Sequence, residues 1–583
     1  MVLGFSGRCA GHCARLLPDA LEMVGIGGTF GGSVMDVRGA ERWRYVALLV
    51  TSMALVATAV QGYWALAAEP AKDALGSTRC ARPLAVAERF ETDASALEST
   101  GEITFGGRQV PLTSPQEFLA GPPRGVAWDL WFHSWSWLAE IARAVHPSTA
   151  VDHAVAWHEA NPDVGGAAPR HEQRMRGWTE GAVTQRMTTV TCLWSVTRDE
   201  RLLPVMRALA EANLDETRYY GRPHFAPHNR GAMANLALIA AGEEFDEPQW
   251  VSAALGRLSV DFPEVFAECG MDREQSASYF KHNHRLWLRA AAIVGQQGDD
   301  SLVSLMGQRL DAAGTALRAL TAPTGSLAAI GDGSPVPGLP PNPDEDSHWW
   351  CPERGWAAGR DSWRDPSMHY TARFGPAMSA HGHDDHGSLT WWVGIDGGVS
   401  VLVDRGNPPK DRDPTRRLWA RSKAAHNTFA PKGLDYRTSS SGSRQVSDDT
   451  VGLAVIDVSL YRGVGRERHA IFSLKTPELE VTDSGSATHP VTWVQAWHLA
   501  PDWRVTHVSG GIATAVHARG SVLTLTCTAM SDQRSTHVRM RLLSVPHFDS
   551  RGAERAAAAV SCEARGSSVS IRTRLIVTPR PHV

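Results

Sequence analysis

The chain has 583 residues, more than a single hydrophobic core usually serves, so its length predicts several domains. A composition of 43% hydrophobic and 21% charged residues is typical of globular proteins and excludes wholesale disorder. The formal net charge of −4 leaves no basic footprint, which argues against nucleic acid as a partner.

The first predicted element is an export signal near the N-terminus. Arginines precede an uncharged apolar run at residues 45–60, and Ala-Leu-Ala at 65–67 fits a small-residue cleavage site. We therefore predict an N-terminal extension over residues 1–44, a signal peptide over residues 45–67, and a secreted or cell-surface protein. An uncleaved membrane anchor over residues 45–68 is the alternative, and translation could instead begin at Met35.

Residues 83–330 are predicted to form a helical domain. Apolar residues recur three and four positions apart in several segments, which are residues 128–145, 187–195, 202–214, 232–241 and 285–294. Short polar breakers separate these segments, as expected of helical hairpins. The following stretch, residues 331–349, is rich in proline and glycine and is predicted to be a linker.

From residue 350 to residue 583 the hydrophobic period changes to two, which predicts strands. Residues 389–395 and 399–403 flank an Asp-Gly-Gly sequence that indicates a hairpin. Alternation returns at residues 453–461, 479–484, 491–499 and 520–530. The predicted fold class is therefore α+β and multidomain, with a helical domain followed by an antiparallel β-sandwich. Cys527 and Cys562 lie in this β-rich part, and export would permit them to form a disulfide.

A cluster of histidines and aspartates precedes the first predicted strand. If the chain is already extended there, His381 and His383 project to one face, because strand side chains repeat every two residues. A His-x-His sequence alone is a weak metal signal. Asp404 ends an apolar strand and His426 follows a polar loop, and with His383 they make a plausible N/N/O zinc set.

Several motifs, in order, resemble those of the heparinase II/III-like polysaccharide lyases. They are GWTEGAVTQRMTTV (177–190), HNRGAMANLALIAAG (228–242), REQSASYFKHNHRLWL (273–288), IGDGS (330–334), HGHDDHGSLTWW (381–392), VLVDRG (401–406) and SKAAHNTF (422–429). Each motif alone is weak, but their order along residues 125–510 makes the resemblance specific.

The resemblance implies a fold and a reaction. The fold is an incomplete (α/α) toroid followed by an antiparallel β-sandwich, in agreement with the periodicities. The reaction is β-elimination on an acidic polysaccharide: the uronate carboxylate is neutralised, a base removes the C5 proton, and an acid protonates the leaving oxygen.

The resemblance also implies roles for individual residues. Asn229 is expected to neutralise the carboxylate, and Tyr279 and His381 to act as acid and base. The expected substrate-binding residues are Arg230, His228 and His284, and the expected ligands of a structural Zn²⁺ are His383, Asp404 and His426.

One position departs from the family pattern. The family often has histidine where this chain has Arg230, which can pair with a carboxylate in a bidentate manner but cannot act as a base.

Two alternatives to the lyase remain open: a catalytically inactive polysaccharide-binding or export-associated protein of the same fold, and a zinc-dependent hydrolase. The sequence names neither the particular glycan nor the oligomeric state.

Overall fold

The structure of the protein is a computed structural model. The residues that it describes are 92–93, 95–105, 108–111, 132–135, 137–138, 146–161, 177–220, 227–375, 381–408, 414–433, 440–457, 463–550 and 552–580. The predicted extension and signal, residues 1–67, lie outside them. Within the described part of the chain, no helix is long and apolar enough to cross a membrane.

Helices make up most of the described residues up to 320. They are α1 (Leu97–Thr100), α2 (Pro147–Ala160), α3 (Glu180–Thr197), α4 (Leu202–Leu214), α5 (Glu216–Tyr219), α6 (Asn229–Glu244), α7 (Pro248–Val265), α8 (Ala277–Gln296) and α9 (Asp300–Leu320), followed much later by α10 (Pro414–Ala420). Neighbours along the chain pack as hairpins, namely α3 with α4, α6 with α7 and α8 with α9. Helix α8 begins before the predicted segment, residues 285–294. The apolar spacing does not indicate this first part of the helix because the polar residues Asn283 and His284 occupy buried positions in it.

Strands make up most of the rest, in three antiparallel sheets. A small sheet contains β1 (Thr92–Asp93), β2 (Glu102–Phe105) and β3 (Arg108–Pro111). A five-stranded sheet contains β4 (His348–Cys351), β5 (Trp356–Arg360), β6 (Met368–Arg373), β7 (Ser388–Val393) and β8 (Val399–Leu402). The large sheet contains β9 (Phe429–Pro431), β10 (Ser440–Val446), β11 (Thr450–Asp457), β12 (Val464–Ser473), β13 (Glu478–His498), β14 (Trp503–Ser509), β15 (Ile512–His517), β16 (Val522–Ser531), β17 (Arg534–Thr536), β18 (Arg539–Phe548) and β19 (Glu554–Thr578).

The predicted hairpin is confirmed, because β7 and β8 pair in antiparallel register. The runs at 479–484 and 491–499, predicted as two strands, are one strand, β13. Its pairing with β19 shifts register between Ser486 and Val491. Pro490 lies inside this irregular stretch, where its missing N–H is tolerated. The predicted disulfide between Cys527 and Cys562 is present.

The five-stranded sheet is buried on both faces. Residues such as Tyr370 share one core with the large sheet, while Trp356 and Ala358 of β5 belong to the core of the helices. Strands β5, β6 and β7 are therefore buried at every position, unlike the half-buried alternation that the sequence predicts. The helix-then-sandwich order is confirmed, and this sheet joins its two parts.

The end of α9 is fixed to the five-stranded sheet. The guanidinium of Arg360 on β5 donates to the carbonyls of Arg318 and Ala319, at 3.2 and 3.3 Å. The imidazole of His369 on β6 also bonds the Ala319 carbonyl, at 2.9 Å. The last carbonyls of a helix lack intrahelical partners, so these side chains satisfy them.

A disulfide between Cys269 and Cys351 closes the same junction, from the loop after α7 to β4. Replacing both cysteines by serine should lower the free energy of unfolding by about 2–4 kcal/mol, because the long loop is no longer closed in the unfolded chain. Differential scanning calorimetry under non-reducing conditions measures the effect. As a control, peptide mapping should show the Cys527–Cys562 linkage intact in the variant. An unchanged melting temperature would contradict a stabilising bond here.

Candidate active site

A single buried carboxylate, Asp332, organises the region between the helices and the sheets. It is 3% exposed. The side chains that donate to it are His381 Nδ1 (3.2 Å), His383 Nε2 (3.0 Å), Asn407 Nδ2 (2.6 Å), Arg417 Nη2 (3.2 Å) and Arg421 Nη1 (3.1 Å). Burial alone would raise the pKa of Asp332, but the bonds from both imidazoles and the charge of Arg421 hold that pKa well below its usual range.

Gly331 and Gly333 lie on either side of Asp332, and both have a positive φ. Gly331 has φ +75°, and a Cβ there would approach Ser276 Cα to 2.8 Å and the His381 carbonyl to 2.9 Å. The Asp332 amide donates to that same His381 carbonyl at 2.8 Å. Ser278 Oγ donates to the Asp332 carbonyl at 3.1 Å. The Gly-Asp-Gly turn therefore lies directly between the start of α8 and the histidine segment.

The structure brings Tyr279 and His381 together. Their rings stack with centroids 3.6 Å apart and planes 15° from parallel. His381 Nε2 is 3.7 Å from Glu274 Oε2. The other carboxylate oxygen of Glu274 accepts a hydrogen bond from the backbone N–H of Asn229 at 3.0 Å. One carboxylate thus connects the tyrosine–histidine pair to the start of α6, where Asn229 lies.

Three polar residues, His228, Asn229 and Arg230, lie at the start of α6. His228 is the N-cap, and its Nδ1 accepts from the Arg230 amide at 2.9 Å. Asn229 is the first helical residue, so capping does not account for its presence. His228 Nε2 is 4.0 Å from Glu180, and burial raises the pKa of Glu180 to about 7 despite the opposing charge of Arg230.

His284 is not brought into this cluster. Its Nε2 bonds the Leu310 carbonyl on α9 at 3.1 Å, and burial lowers its pKa to about 4. Its position on α8 explains the difference, because it faces the neighbouring helix of the hairpin rather than the side of Tyr279. The structure therefore places this expected substrate-binding histidine against α9, apart from Tyr279 and His381.

The expected zinc ligands converge in the sandwich beside Asp332. His426 Nδ1 is 2.8 Å from Asp404 Oδ2, and the rings of His383 and His426 are 5.3 Å apart. Burial lowers the pKa of His426, but the Asp404 carboxylate outweighs burial and raises that pKa to about 8. His383 precedes β7 rather than lying in it, so shared binding to Asp332, not strand alternation, places it beside His381.

The donor set of these three residues fits a zinc ion. Among the described residues, His383 Nδ1, Asp404 Oδ1 and His426 Nε2 are buried without a hydrogen-bond partner, and two imidazoles with a carboxylate are ordinary zinc ligands. The ligand atoms of these three residues do not all lie within 4.8 Å of one another. Within the described part of the chain, the group that meets this distance is Cys269, Cys351 and Glu353, but its two cysteines already form a disulfide with each other.

A buried ion pair supports both histidine segments from behind. Arg468 forms a bidentate pair with Asp483, with both N–O distances 2.7 Å. Its remaining terminal nitrogen donates to the carbonyls of Gly387 and Asn427, at 2.5 and 2.6 Å. These carbonyls follow the His383 segment and His426, so one guanidinium fixes the backbone at both.

Sequence reasoning missed Asp332 as a site residue. The signal was present in the glycines on either side of it, since paired glycines around one polar residue indicate a constrained turn. The turn appears among the motifs that carry the family resemblance, but it also opens the proline- and glycine-rich stretch predicted to be a linker, and no local pattern assigns its aspartate to the site.

Comparison with known proteins supports the resemblance. Residues 344–573 match the family described as Heparinase II/III-like, C-terminal, a range that contains His381 and the three expected zinc ligands. The resemblance is thereby confirmed for the sheet-forming part of the chain. No curated protein matches the sequence.

Solved structures of polysaccharide lyases share the fold. Heparan sulfate lyase HepC from Pedobacter heparinus is similar over 84% of this chain and 83% of that chain, at 15% identity and a TM-score of 0.58. A heparinase III structure is similar over 88% and 85%, at 14% identity and 0.64. Chondroitin AC lyase from Streptomyces coelicolor A3 is similar over 78% and 75%, at 10% identity and 0.51. The predicted fold class, an incomplete (α/α) toroid followed by a β-sandwich, is confirmed.

The Arg468–Asp483 pair gives a test of the support behind the site. Arg468→Met should lower the free energy of unfolding by about 3–5 kcal/mol, because it leaves the Asp483 carboxylate buried without a compensating charge. Arg572→Met removes an exposed pair with Glu480 and should cost at most about 1 kcal/mol. Denaturant titration measures the free energy of unfolding of both variants. Equal decreases would show that the buried pair contributes no more to stability than the exposed pair.

Proposed function

We propose that the protein is a polysaccharide lyase that cleaves a uronic-acid-containing polysaccharide by β-elimination. The observation that carries the proposal is the stacked pair of Tyr279 and His381, 3.6 Å apart, beside the start of α6. A phenol and an imidazole in contact supply a proton donor and a proton acceptor at one place. The heparinase-type fold and the family match over residues 344–573 support the same reaction.

The mechanism begins with the substrate carboxylate. Asn229, with the charge of Arg230 next to it, binds and neutralises this group, which makes the C5 proton more acidic. Arg230 can hold the carboxylate but remains protonated, so it takes no part in proton transfer. The positive end of the α6 helix dipole lies at the same place and favours a bound anion.

Proton transfer then falls to the stacked pair. A positioned imidazole is the commonest general base in enzymes, and a phenol O–H can serve as a general acid. His381 therefore acts as the base at C5, and Tyr279 donates a proton to the departing glycosidic oxygen. Asp332 accepts from His381 Nδ1 at 3.2 Å, so it fixes the orientation of the ring and leaves Nε2 as the nitrogen that exchanges the proton.

We also propose that His383, Asp404 and His426 hold a structural zinc ion. When bound, such an ion ties three loops of the sandwich together without entering the reaction. Burial favours this role over that of a hydrolytic metal, since the side chains of both histidines and of the aspartate are fully buried. The His381 side chain, by contrast, is 20% exposed.

Export is a further part of the proposal. It is supported by the basic and apolar residues of 38–67 and by the disulfides Cys269–Cys351 and Cys527–Cys562. Disulfides persist in oxidising compartments and are rare in the cytosol. An acidic polysaccharide outside the cell is the corresponding substrate.

The reaction is tested by incubating the protein with heparan sulfate, hyaluronan, chondroitin sulfate, alginate and glucuronan. We expect at least one of them to give products with ultraviolet absorbance from a C4–C5 double bond. Saturated products that depend on the metal would instead indicate a zinc hydrolase. Binding without any product would indicate the inactive polysaccharide-binding alternative.

The acid and base are tested by Tyr279→Phe and His381→Ala. Each should lower kcat by about 10²–10⁴-fold, because each removes a group that transfers a proton. Tyr279→Phe keeps the stacked ring and should leave the melting temperature close to that of wild type. Arg572→Met serves as the control for handling and folding. A fully active Tyr279→Phe variant would disprove the role of the phenol.

The zinc proposal is tested by His383→Ala, which should lower both the bound zinc, measured by mass spectrometry, and the melting temperature. His386→Ala is the matched control, since His386 lies in the same segment and is also buried but is outside the expected ligand set. Equal zinc contents in the two variants would contradict the assignment.

A further inference from the structure

Three cations form a row on one side of helix α8. Lys281, Arg285 and Arg289 are spaced four positions apart, so their side chains are neighbours on the same face of the helix. Arg285 is exposed, and the other two are half-buried. We call these three residues the α8 row. At the rise of an α-helix, the row extends about 12 Å along the axis.

The charges of the α8 row repel one another. Over the described ranges of the chain, no carboxylate forms an ion pair with any of the three. Burial lowers the pKa of Lys281 and of Arg289, and the charge of Arg285 lowers both further. Like charges four positions apart destabilise a helix. The row therefore costs stability, and a bound anion would relieve the repulsion.

The row begins beside the proposed active site. Ser278 lies three positions before Lys281 on α8, and its Oγ donates to the Asp332 carbonyl at 3.1 Å. Lys281 Nζ donates to the carbonyl of Pro337, in the segment that follows Asp332, at 2.5 Å. Tyr279 is two residues before Lys281. The row therefore starts at the proposed acid and runs toward the other end of α8.

We propose that the α8 row binds the part of the acidic polysaccharide that extends beyond the reacting sugars. The inference rests on the proposed function for the class of polymer, and it adds a contact outside the proposed catalytic groups. A chain that carries carboxylates or sulfates at intervals is complementary to a row of cations. Such a contact increases the affinity and the association rate of the polymer without taking part in proton transfer.

The test is calorimetric titration at low salt with heparin and with hyaluronan, each as the polymer and as a tetrasaccharide. All proteins carry Tyr279→Phe to limit turnover. Adding Arg285→Gln and Arg289→Gln together should weaken the binding of a polymer about tenfold, because two charged contacts are lost. The loss should be about twofold at most on the tetrasaccharide, since a short chain at the active site reaches only the start of the row. The loss on the polymer should shrink at higher ionic strength, because salt screens exposed charges.

The control removes two exposed arginines elsewhere, Arg207 on α4 and Arg572 on β19. Arg207→Gln with Arg572→Gln gives the same change in net charge and should leave every affinity unchanged. Equal losses in the two double variants would overturn the proposal, since net charge alone would account for them. Equal losses on polymer and tetrasaccharide would overturn it too, because the row would then act at the reacting sugars. Unchanged affinities in the α8 double variant would also overturn it.

Thermal stability separates binding from packing. The melting temperature of the Arg285→Gln, Arg289→Gln variant should not fall, because the substitutions relieve a repulsion between like charges. A lower melting temperature together with weaker binding of every probe would assign the arginines a packing role and overturn the proposal.

Product release separates this inference from the proposed reaction. A protein with Tyr279 intact that releases no unsaturated product from any substrate defeats the lyase proposal, and the binding comparison still stands. A protein that cleaves the polymer while the α8 double variant binds it equally well overturns the α8 row and leaves the lyase proposal intact. With Tyr279 intact, the two substitutions should raise KM for the polymer and leave kcat within about twofold, since the row transfers no proton.

Discussion

The buried carboxylate of Asp332 is the constraint on which the rest of the site depends. A charge at 3% exposure is tolerated only when donors surround it, and here those donors come from three stretches that lie 49 to 89 residues after Asp332 in the sequence. The histidine segment, the loop at Asn407 and helix α10 all direct side chains to it. Because the same turn is also bonded to the start of α8, satisfying one charge fixes the helical and sheet sides of the site together.

Each element around this carboxylate is held in turn by its own buried polar contacts. Glu274 and Ser276 illustrate this at the start of α8, where the first binds the α6 backbone and the second caps the helix. Arg468 does the same within the sandwich through Asp483 and two loop carbonyls. Such arrangements restrict the positions of reacting groups to a narrow range, which catalysis by orientation requires.

Much of the fold could be predicted from sequence because its hydrophobic period is local information. The helix at Leu202–Leu214 and the hairpin of β7 and β8 follow from apolar spacing and from an Asp-Gly-Gly turn. The predictions failed where tertiary burial overrides that period. Strand β6 is buried on both faces, and α8 carries Asn283 and His284 at core positions because Asp272 and the Leu310 carbonyl accept from them.

By itself the sequence determined the order of helices and strands and the identity of the residues able to transfer protons or bind a metal. Side-chain chemistry and spacing along the chain carry that information. Only the tertiary structure decided which of these residues meet. It brought Tyr279 onto His381, directed His284 to a neighbouring helix, and placed Asp332, taken from an apparent linker, at the centre of the site. The reason is that a buried charge selects its partners by distance in space, and no local pattern in the chain records that distance.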